Sequence, residues 1–255
     1  MPLPELIEIV PLARPVQAEI TVPGSKSITN RALILAALAE GETTMTGALW
    51  SEDTQVMVEC LQDLGFMVNV APDPDEPCNR NITVYGKGGT VPRGGTPAQP
   101  LELFVGNAGT AARFLAAFVC LGDGVYRLHG IARMHERPQG ELFSALRHLG
   151  YRVEPETGND HLPALIYGGS PSADANPPAG SRRCVVSIQA SSQFASALLL
   201  CASAGGWDVK VLGENMEESP YVAMTSALIK TFPREGGTFQ VEPDASSGSY
   251  FLAAG

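Results

Sequence analysis

The sequence feature that most constrains the fold is an internal repeat of about 82 residues. Three segments open with small and hydroxyl residues, continue as an Ala/Leu-rich run, reach a Gly and end in an alternating stretch: SKSITNRALILAALAEGETTMTG, NAGTAARFLAAFVCLGDGVYRLHG and ASSQFASALLLCASAGGWDVKVLG. Leu33, Leu115 and Leu198 occupy equivalent positions, at spacings of 82 and 83. Self-similarity at this period is typical of repeated supersecondary units around a shared core. Chance resemblance among Ala/Leu helices is the alternative, and the matching glycines and trailing strands argue against it.

The second halves of the repeats also correspond. TQVMVECLQDLGFMVNV resembles QGELFSALRHLGYRVEP, and YVAMTSALIKTFPREGGTFQVEP is a looser third copy. The first two predict an amphipathic helix with apolar residues at i, i+3, i+4 and i+7, a Leu-Gly helix end and then a strand. The pattern predicts a mixed α/β (α+β) fold of three strand–helix–strand–helix–strand units, with room for one further strand in each.

Two stretches rich in Pro, Gly, Ser and Asp, residues 71–81 and 168–183, predict surface loops within repeats. Residues 1–20 precede the first repeat and predict one or two strands. Residues 244–255 begin a new helix, with Asp244 or Ser246 as the expected N-cap. Because that helix has nothing further to pack against, we expect the natural sequence to be longer.

The chain of 255 residues has a formal net charge of −10 and a pI near 4.9. This charge argues against non-specific nucleic-acid binding, which needs a basic face. The five cysteines are odd in number and none form a CxxC pair, so we expect reduced thiols, a reducing cytoplasmic location and no metal site. The sequence contains no run of 18 apolar residues, so it predicts no membrane span. Its first residues lack the features of a signal peptide.

Basic residues cluster at the predicted helix starts. Lys26 and Arg31 belong to the first repeat, Arg113 to the second, and Arg133 and Arg137 follow in ARMHERP. The first N–H groups of a helix lack partners and carry partial positive charge, so such an end binds phosphate or carboxylate. Taken singly, each leading serine is equally an ordinary N-cap and each arginine an ordinary surface residue. Together they predict one anion-binding face.

Five motifs together resemble the 5-enolpyruvylshikimate-3-phosphate (EPSP) synthase family: PGSKSITNRALILAALAEG, LFVGNAGTAAR, ARMHERPQGEL, SSQFASALLL and VEPDASSGSYFLAA. The resemblance covers essentially the whole chain. It implies two lobes, each of three βαβαββ units around a pseudo-threefold axis, with the active site between them. It also implies transfer of the enolpyruvyl group of phosphoenolpyruvate to the 5-hydroxyl of shikimate 3-phosphate with release of phosphate, no metal or organic cofactor, and glyphosate as an inhibitor.

The resemblance also implies roles for individual residues. Those expected to bind shikimate 3-phosphate are Lys26, Ser27, Arg31, Ser191, Ser192, Gln193 and Tyr221. Those expected to bind phosphoenolpyruvate are Lys26, Asn107, Gly109, Thr110, Arg137 and Gln193. Lys26 touches both substrates and is the expected catalytic residue of this chain. Arg113 helps to shape the turn around Gly109.

In the family, the second lobe carries the proton-transferring carboxylates. The resemblance therefore implies that this chain is the shikimate-phosphate-binding lobe and is inactive without its partner lobe. The implied domains are residues 1–20, strands of the second lobe; 21–243, three repeats at about 21–100, 101–183 and 184–243; and 244–255, the crossover into the second lobe.

Two positions depart from the family pattern. Glu218 stands where a serine is usual, three residues before Tyr221. A carboxylate there repels a phosphate, so we expect either Ser219 to replace the contact or the loop to shift. Phe114 stands where proline is common, which changes the packing beneath Gly109.

Two alternatives remain open from the sequence. One is the related enolpyruvyl transferase that acts on UDP-N-acetylglucosamine, although the Lys-Asn pair and loop cysteine typical of that family are not recognisable here. The other is a stand-alone module that binds shikimate 3-phosphate without catalysis.

Overall fold

The computed structural model describes residues 6, 8, 11, 14, 17, 19–169, 182–189, 191–213 and 218–254. Most of the predicted 1–20 strand region lies outside these residues. So do most of the predicted loop at 168–183 and Ala190, the first residue of the third repeated segment.

Helices and strands alternate along most of the chain. The helices are α1 (Lys26–Leu38), α2 (Glu52–Asp63), α3 (Gly109–Phe118), α4 (Ala132–His135), α5 (Gly140–His148), α6 (Ser192–Gly205), α7 (Ser219–Thr231) and α8 (Ala245–Ala254). The strands are β1 (Glu40–Leu49), β2 (Val68–Pro72), β3 (Asn79–Lys87), β4 (Leu101–Phe104), β5 (Val125–His129), β6 (Arg152–Pro155), β7 (Ala164–Tyr167), β8 (Arg182–Ser187), β9 (Trp207–Leu212) and β10 (Gly237–Gln240). A 3₁₀ turn, Val119–Leu121, follows α3. The predicted mixed α/β class is confirmed.

The strands form two four-stranded sheets, ordered β10-β1-β3-β2 and β4-β5-β7-β6, and a parallel pair, β8-β9. In each four-stranded sheet the strand after the first helix of the unit pairs antiparallel with the last strand of the same unit. The other neighbour is parallel: β4 for β5 and β10 for β1. The end of the third unit therefore completes the sheet of the first.

The three units differ in how many strands they hold. The second has the order β4-α3-β5-α5-β6-β7, with the short α4 inserted. In the first, the leading strand is reduced to a bridge between Gly24 and Pro243. In the third, the described residues give β8-α6-β9-α7-β10, one strand fewer than the six-element unit, and β10 pairs outside its own unit.

The structure corrects one detail of the sequence reading and decides another between its two candidates. Residues 71–72 and 79–81, predicted as loop, are strand residues in which Ala71 pairs with Asn81. Asp244 is the cap of the last helix, because its Oδ2 accepts hydrogen bonds from the N–H of Ser247 at 3.3 Å and from the Ser247 hydroxyl at 2.8 Å.

Helices α1, α3 and α6 form the centre of the core. The equivalent residues Leu33, Leu115 and Leu198 are fully buried there. Many of the residues around them are alanines, whose small side chains allow helices to approach closely. The end of α1 also packs on β3 at Gly86, where a Cβ would lie 2.2 Å from the Ala39 carbonyl oxygen.

The three central helices run in the same direction. Arg31, in the second turn of α1, contacts Ser196, in the second turn of α6. At the other end, Leu38 of α1 and Ser203 of α6 line a common cavity. The α3 end likewise meets the second half of α6, where Cys120 is close enough to Cys201 to interact electrostatically. The helix starts therefore lie on one side of the core, as expected from the repeats. In the part of the chain that the structure describes, no helix has the length and apolar character needed to cross a membrane.

Candidate anion-binding site

The helix starts occur where the hydroxyl-rich segments predict them, at Lys26, Gly109 and Ser192. Two buried arginines join the three helices just inside these starts. The Arg31 guanidinium of α1 lies over the Phe114 ring of α3, 5.2 Å from its centroid. The Arg113 guanidinium of α3 lies over the Phe194 ring of α6 at 5.8 Å. The arrangement gathers positive charge and three helix N-termini on one face.

Arg31 is 2% exposed. Its Nε donates to Thr225 Oγ1 at 2.7 Å, its Nη1 to the Ser27 carbonyl at 2.9 Å and its Nη2 to Ser196 Oγ at 3.0 Å. All three acceptors are neutral, and within the described residues no carboxylate forms a salt bridge with this arginine. Burial lowers the pKa of Arg31 to about 10, partly opposed by nearby Tyr221. The site thus holds a desolvated cation without a counter-charge.

Arg113 repeats this situation in α3. It is 4% exposed, and its guanidinium donates to the Gly109 carbonyl at 3.2 Å and the Pro138 carbonyl at 2.9 Å. Its Nε has no hydrogen-bond partner. Burial, and then the charge of Arg137, lower the pKa of Arg113 to about 10. Two cations side by side repel each other unless an anion lies between or beside them.

Arg137 lies directly on the start of α3. Its Nη1 donates to the Asn107 carbonyl at 3.1 Å. A Cβ on Gly109 would be only 2.3 Å from its Nη2, so glycine is what allows the guanidinium to approach. Asn107, Gly109 and Arg137, which the sequence assigned to one substrate, are therefore together. Thr110 is the second residue of α3.

At the start of α1, Ser25 is the N-cap and accepts from the Ile28 N–H at 3.4 Å. Ser27 contributes its carbonyl to Arg31. The Lys26 ammonium is half-exposed and forms a salt bridge with Asp53 Oδ2, in the first turn of α2, at 3.2 Å. Asp53 holds the lysine head near the N-terminal end of the core and was not predicted from the sequence.

At the start of α6, the Ser191 hydroxyl accepts from the Gln193 N–H at 3.2 Å. The Ser192 N–H donates to Glu218 Oε2 at 2.6 Å. The Glu218 carboxylate thus lies where the resemblance places a phosphate. Tyr221, in the first turn of α7, is 37% exposed.

The structure adds site residues that the sequence reading missed. Ser196 and Thr225 are fully buried, lie 2.9 Å apart and both bind Arg31. The signal available was polar residues four positions after Ser192 and Tyr221, on the buried faces of α6 and α7. Arg133, another cation of the predicted anion-binding face, instead forms an exposed ion pair with Glu136. Among the described residues, no group of three or more His, Cys, Asp or Glu side chains is placed to hold a metal ion.

A cavity of about 330 Å³ lies at the other end of α1 and α6, lined in part by Leu38, Ser203 and Phe232. Its charged residues are Glu40, Arg234 and Glu235, so carboxylates predominate. The helix C-termini beside it add partial negative charge. It therefore does not suit the anions that the opposite face attracts.

The fold and the site define a class: a mixed α/β protein in which three parallel helices bring their N-termini and two buried arginines to one face. The sequence profile of EPSP synthase (3-phosphoshikimate 1-carboxyvinyltransferase) matches residues 11–235, and this chain belongs to that family.

Relatives support this membership. A 3-phosphoshikimate 1-carboxyvinyltransferase of Trichormus variabilis is 40% identical over 270 residues, covering 98% of this chain and 59% of the relative. The enzyme of that name from Paraburkholderia phytofirmans is 41% identical over 275 residues, covering 98% of this chain and 58% of the relative. The chain thus spans less than two thirds of the length of these relatives.

Solved structures share the fold. EPSP synthase from Acinetobacter baumannii superposes with a TM-score of 0.69 at 24% identity, over 91% of this chain and 52% of the other. The enolpyruvyl transferase NikO from Streptomyces tendae gives 0.57 at 13% identity, over 95% and 56%.

Proposed function

We propose that this chain binds shikimate 3-phosphate on the face formed by the starts of α1, α3 and α6. We further propose that it contributes this site to the transfer of an enolpyruvyl group from phosphoenolpyruvate to the 5-hydroxyl of that substrate. The observation that carries the proposal is the pair of buried arginines, Arg31 and Arg113. Within the described residues, neither forms a salt bridge with a carboxylate. Burying an uncompensated charge is costly, and a bound anion removes that cost.

The two arginines suit two different anions. Arg31 is joined to α6 and α7, so an anion beside it lies near Ser192 and Tyr221, the proposed shikimate 3-phosphate side. Arg113 is close to Arg137 and Gly109, the proposed phosphoenolpyruvate side. Because both substrates are anions, bringing them together needs cations to offset their repulsion.

Lys26 is the proposed catalytic residue on this chain. It lies in the first turn of α1 and its ammonium is half-exposed, so it can reach outward from the helix start. Its salt bridge with Asp53 fixes the side of α1 on which the charge is held. A flexible point charge of this kind can contact both substrates during transfer.

The length comparison bears on turnover. Because the chain spans 59% of the Trichormus relative, we propose that transfer also requires a second lobe as a structural partner. Glyphosate is the proposed inhibitor, competing with phosphoenolpyruvate. All five cysteines are free, which fits the proposed cytoplasmic location.

The test is calorimetric titration of the chain with shikimate 3-phosphate, shikimate and UDP-N-acetylglucosamine. We expect binding of the first, at least tenfold weaker binding of the second and none of the third. Arg113→Met should weaken phosphoenolpyruvate binding measured in the presence of shikimate 3-phosphate. Arg183→Met, which removes an exposed arginine paired with Asp208 on β8 and β9, is the matched control.

A chain that binds UDP-N-acetylglucosamine and not shikimate 3-phosphate would overturn the assignment. Turnover is then measured with and without the second lobe of the Trichormus relative. Shikimate 3-phosphate binding without transfer in either case would indicate a binding module.

A further inference from the structure

The start of α6 differs from the other two helix starts because a carboxylate from another element covers it. Glu218 immediately precedes α7, yet its Oε2 accepts the Ser192 N–H at 2.6 Å rather than capping its own helix. The Ser191 hydroxyl takes the next N–H, that of Gln193. The first donors of α6 are therefore already engaged.

Within the described residues, no carboxylate accepts a hydrogen bond from the first N–H groups of α1 or α3, although the Asp53 carboxylate pairs with the Lys26 ammonium beside α1. Neither helix has an acidic residue in its first turn, and no side chain caps α3 among the described residues. The cap at α1 is the neutral Ser25 hydroxyl. A carboxylate at a helix N-terminus is stabilised by the same N–H groups and dipole that bind a phosphate, so the two anions compete for one position.

A second observation is that buried cations lie beside this helix. Arg113 is 4% exposed, its Nε has no hydrogen-bond partner, and it lies over Phe194, the third residue of α6. Arg31 reaches Ser196, two residues further along the same helix. Glu218 is not within ion-pair distance of either arginine among the contacts of the described residues, so their charges remain available.

We propose that Glu218 is an internal competitor for the phosphate of shikimate 3-phosphate at the start of α6. This inference rests on the proposed function. The Ser192 N–H is one donor and cannot serve a carboxylate and a phosphate together, and the two anions repel each other at contact distance. The phosphate therefore binds only when Glu218 leaves. Because Glu218 adjoins α7, its departure is linked to the position of Tyr221, three residues later.

The experiment compares Glu218→Ser, Glu218→Gln and the wild-type chain. The serine variant removes both the charge and the long acceptor side chain, whereas the glutamine variant removes the charge and keeps the side-chain shape. Glu235→Ser is the matched control, since it makes the same charge change beside the cavity at the opposite ends of α1 and α6. Titration calorimetry gives the affinity for shikimate 3-phosphate and for shikimate, and the amide ¹⁵N–¹H shift of Ser192 reports on inorganic phosphate.

We expect Glu218→Ser to tighten shikimate 3-phosphate binding at least tenfold and Glu218→Gln to tighten it by less. Shikimate binding, and all binding by Glu235→Ser, should change less than twofold. Unchanged or weaker binding of shikimate 3-phosphate by both folded Glu218 variants would overturn the proposal.

A failure of the proposed function is distinguishable from a failure of this inference. If the wild-type chain binds no shikimate 3-phosphate, the inorganic phosphate titration decides. A Ser192 amide that responds at lower phosphate concentration in Glu218→Ser than in wild type supports the competitor role, and an equal or absent response refutes it. Should Glu218→Ser fail to fold, the same comparison is made with Glu218→Gln.

Discussion

Replacing Arg31 by methionine tests whether this buried cation serves ligand binding or the stability of the fold. The guanidinium is 2% exposed and donates to three neutral acceptors, on Ser27, Ser196 and Thr225. Methionine is an unbranched, uncharged side chain that packs over Phe114 to about the position of the arginine Nε. If Arg31 serves the fold, the change should unfold the protein. If it serves a ligand, the unliganded protein should tolerate the change.

Two opposing contributions of similar size set the expected effect on stability. Burial lowers the pKa of Arg31 to about 10, which corresponds to a penalty of about 3 kcal/mol for holding the charge in the folded protein. A base whose pKa is lowered by folding carries this penalty at every pH below that value, so measurements at pH 7 include all of it. The three hydrogen bonds offset it by about 1 kcal/mol each.

The acceptors that methionine leaves behind remain largely satisfied. Ser196 and Thr225 hydrogen-bond to each other at 2.9 Å, and the Thr225 hydroxyl also donates to the Tyr221 carbonyl at 2.8 Å. We therefore expect Arg31→Met to change the free energy of unfolding without ligand by less than about 1.5 kcal/mol.

The stabilisation that shikimate 3-phosphate gives the wild-type chain should be largely lost in Arg31→Met. Shikimate 3-phosphate at 100 times its Kd stabilises the wild-type chain by about 2.7 kcal/mol. Loss of one or two charge-assisted contacts weakens binding by about 100-fold, which reduces that increment to about 0.4 kcal/mol at the same concentration. The assay is urea unfolding with and without shikimate 3-phosphate.

Arg147→Met is the matched control for this assay. Arg147 lies in α5 and donates hydrogen bonds to the Val153 carbonyl and to the Asp160 carboxylate. Its replacement should lower the free energy of unfolding and keep the stabilisation by shikimate 3-phosphate. An Arg31→Met chain that keeps the wild-type increment, or that loses more than about 3 kcal/mol without ligand, would refute the reasoning.

Three further predictions concern contacts at the helix starts and at the opposite end of α1. Lys26→Met should weaken shikimate 3-phosphate binding at least tenfold by calorimetry, whereas Asp53→Asn, which breaks a partly exposed pair, should change the free energy of unfolding by less than about 1 kcal/mol. Gly109→Ala puts a methyl group 2.3 Å from the Arg137 Nη2, so the guanidinium must move. When both ligands are titrated with shikimate 3-phosphate present, the affinity for glyphosate should fall more than the affinity for phosphoenolpyruvate. Equal losses of the two affinities would contradict this. Gly86→Ala meets backbone carbonyl oxygens of α1 at 2.2 and 2.4 Å, which cannot retreat as a side chain can, and should lower the free energy of unfolding by at least about 2 kcal/mol in urea.

Local features of the chain were predictable because local sequence determines them. A hydroxyl residue followed by an Ala/Leu run places a helix start within a residue or two, and the structure begins α1, α3 and α6 at Lys26, Gly109 and Ser192. The pairing of β10 with β1 was not predictable in this way. Alternation marks residues 237–240 as a strand, but the choice of neighbour depends on where α7 returns the chain.

The site was predictable as a set of cations and not as a set of contacts. Arg31 and Arg113 were recognisable at helix starts, but their burial depends on aromatic rings contributed by other repeats, those of Phe114 and Phe194. Phe114, which was expected to alter packing beneath Gly109, places its ring under the Arg31 guanidinium of α1, a contact that the sequence did not predict. For Glu218, the sequence showed the conflict between carboxylate and phosphate but could not give its partner, the Ser192 N–H on another helix.

The three helix starts differ in charge although the repeats give them the same backbone. At α1 the nearest added group is Lys26, at α3 it is Arg137 lying on Gly109, and at α6 it is the Glu218 carboxylate. A free helix start attracts any anion, so three identical starts would not distinguish one substrate from another. The groups that differ come from outside the first turn at α3 and α6. On the function and competitor role proposed above, selection among anions on this face depends on residues brought in by neighbouring elements, and the Glu218 carboxylate makes the start of α6 the one where binding requires a displacement.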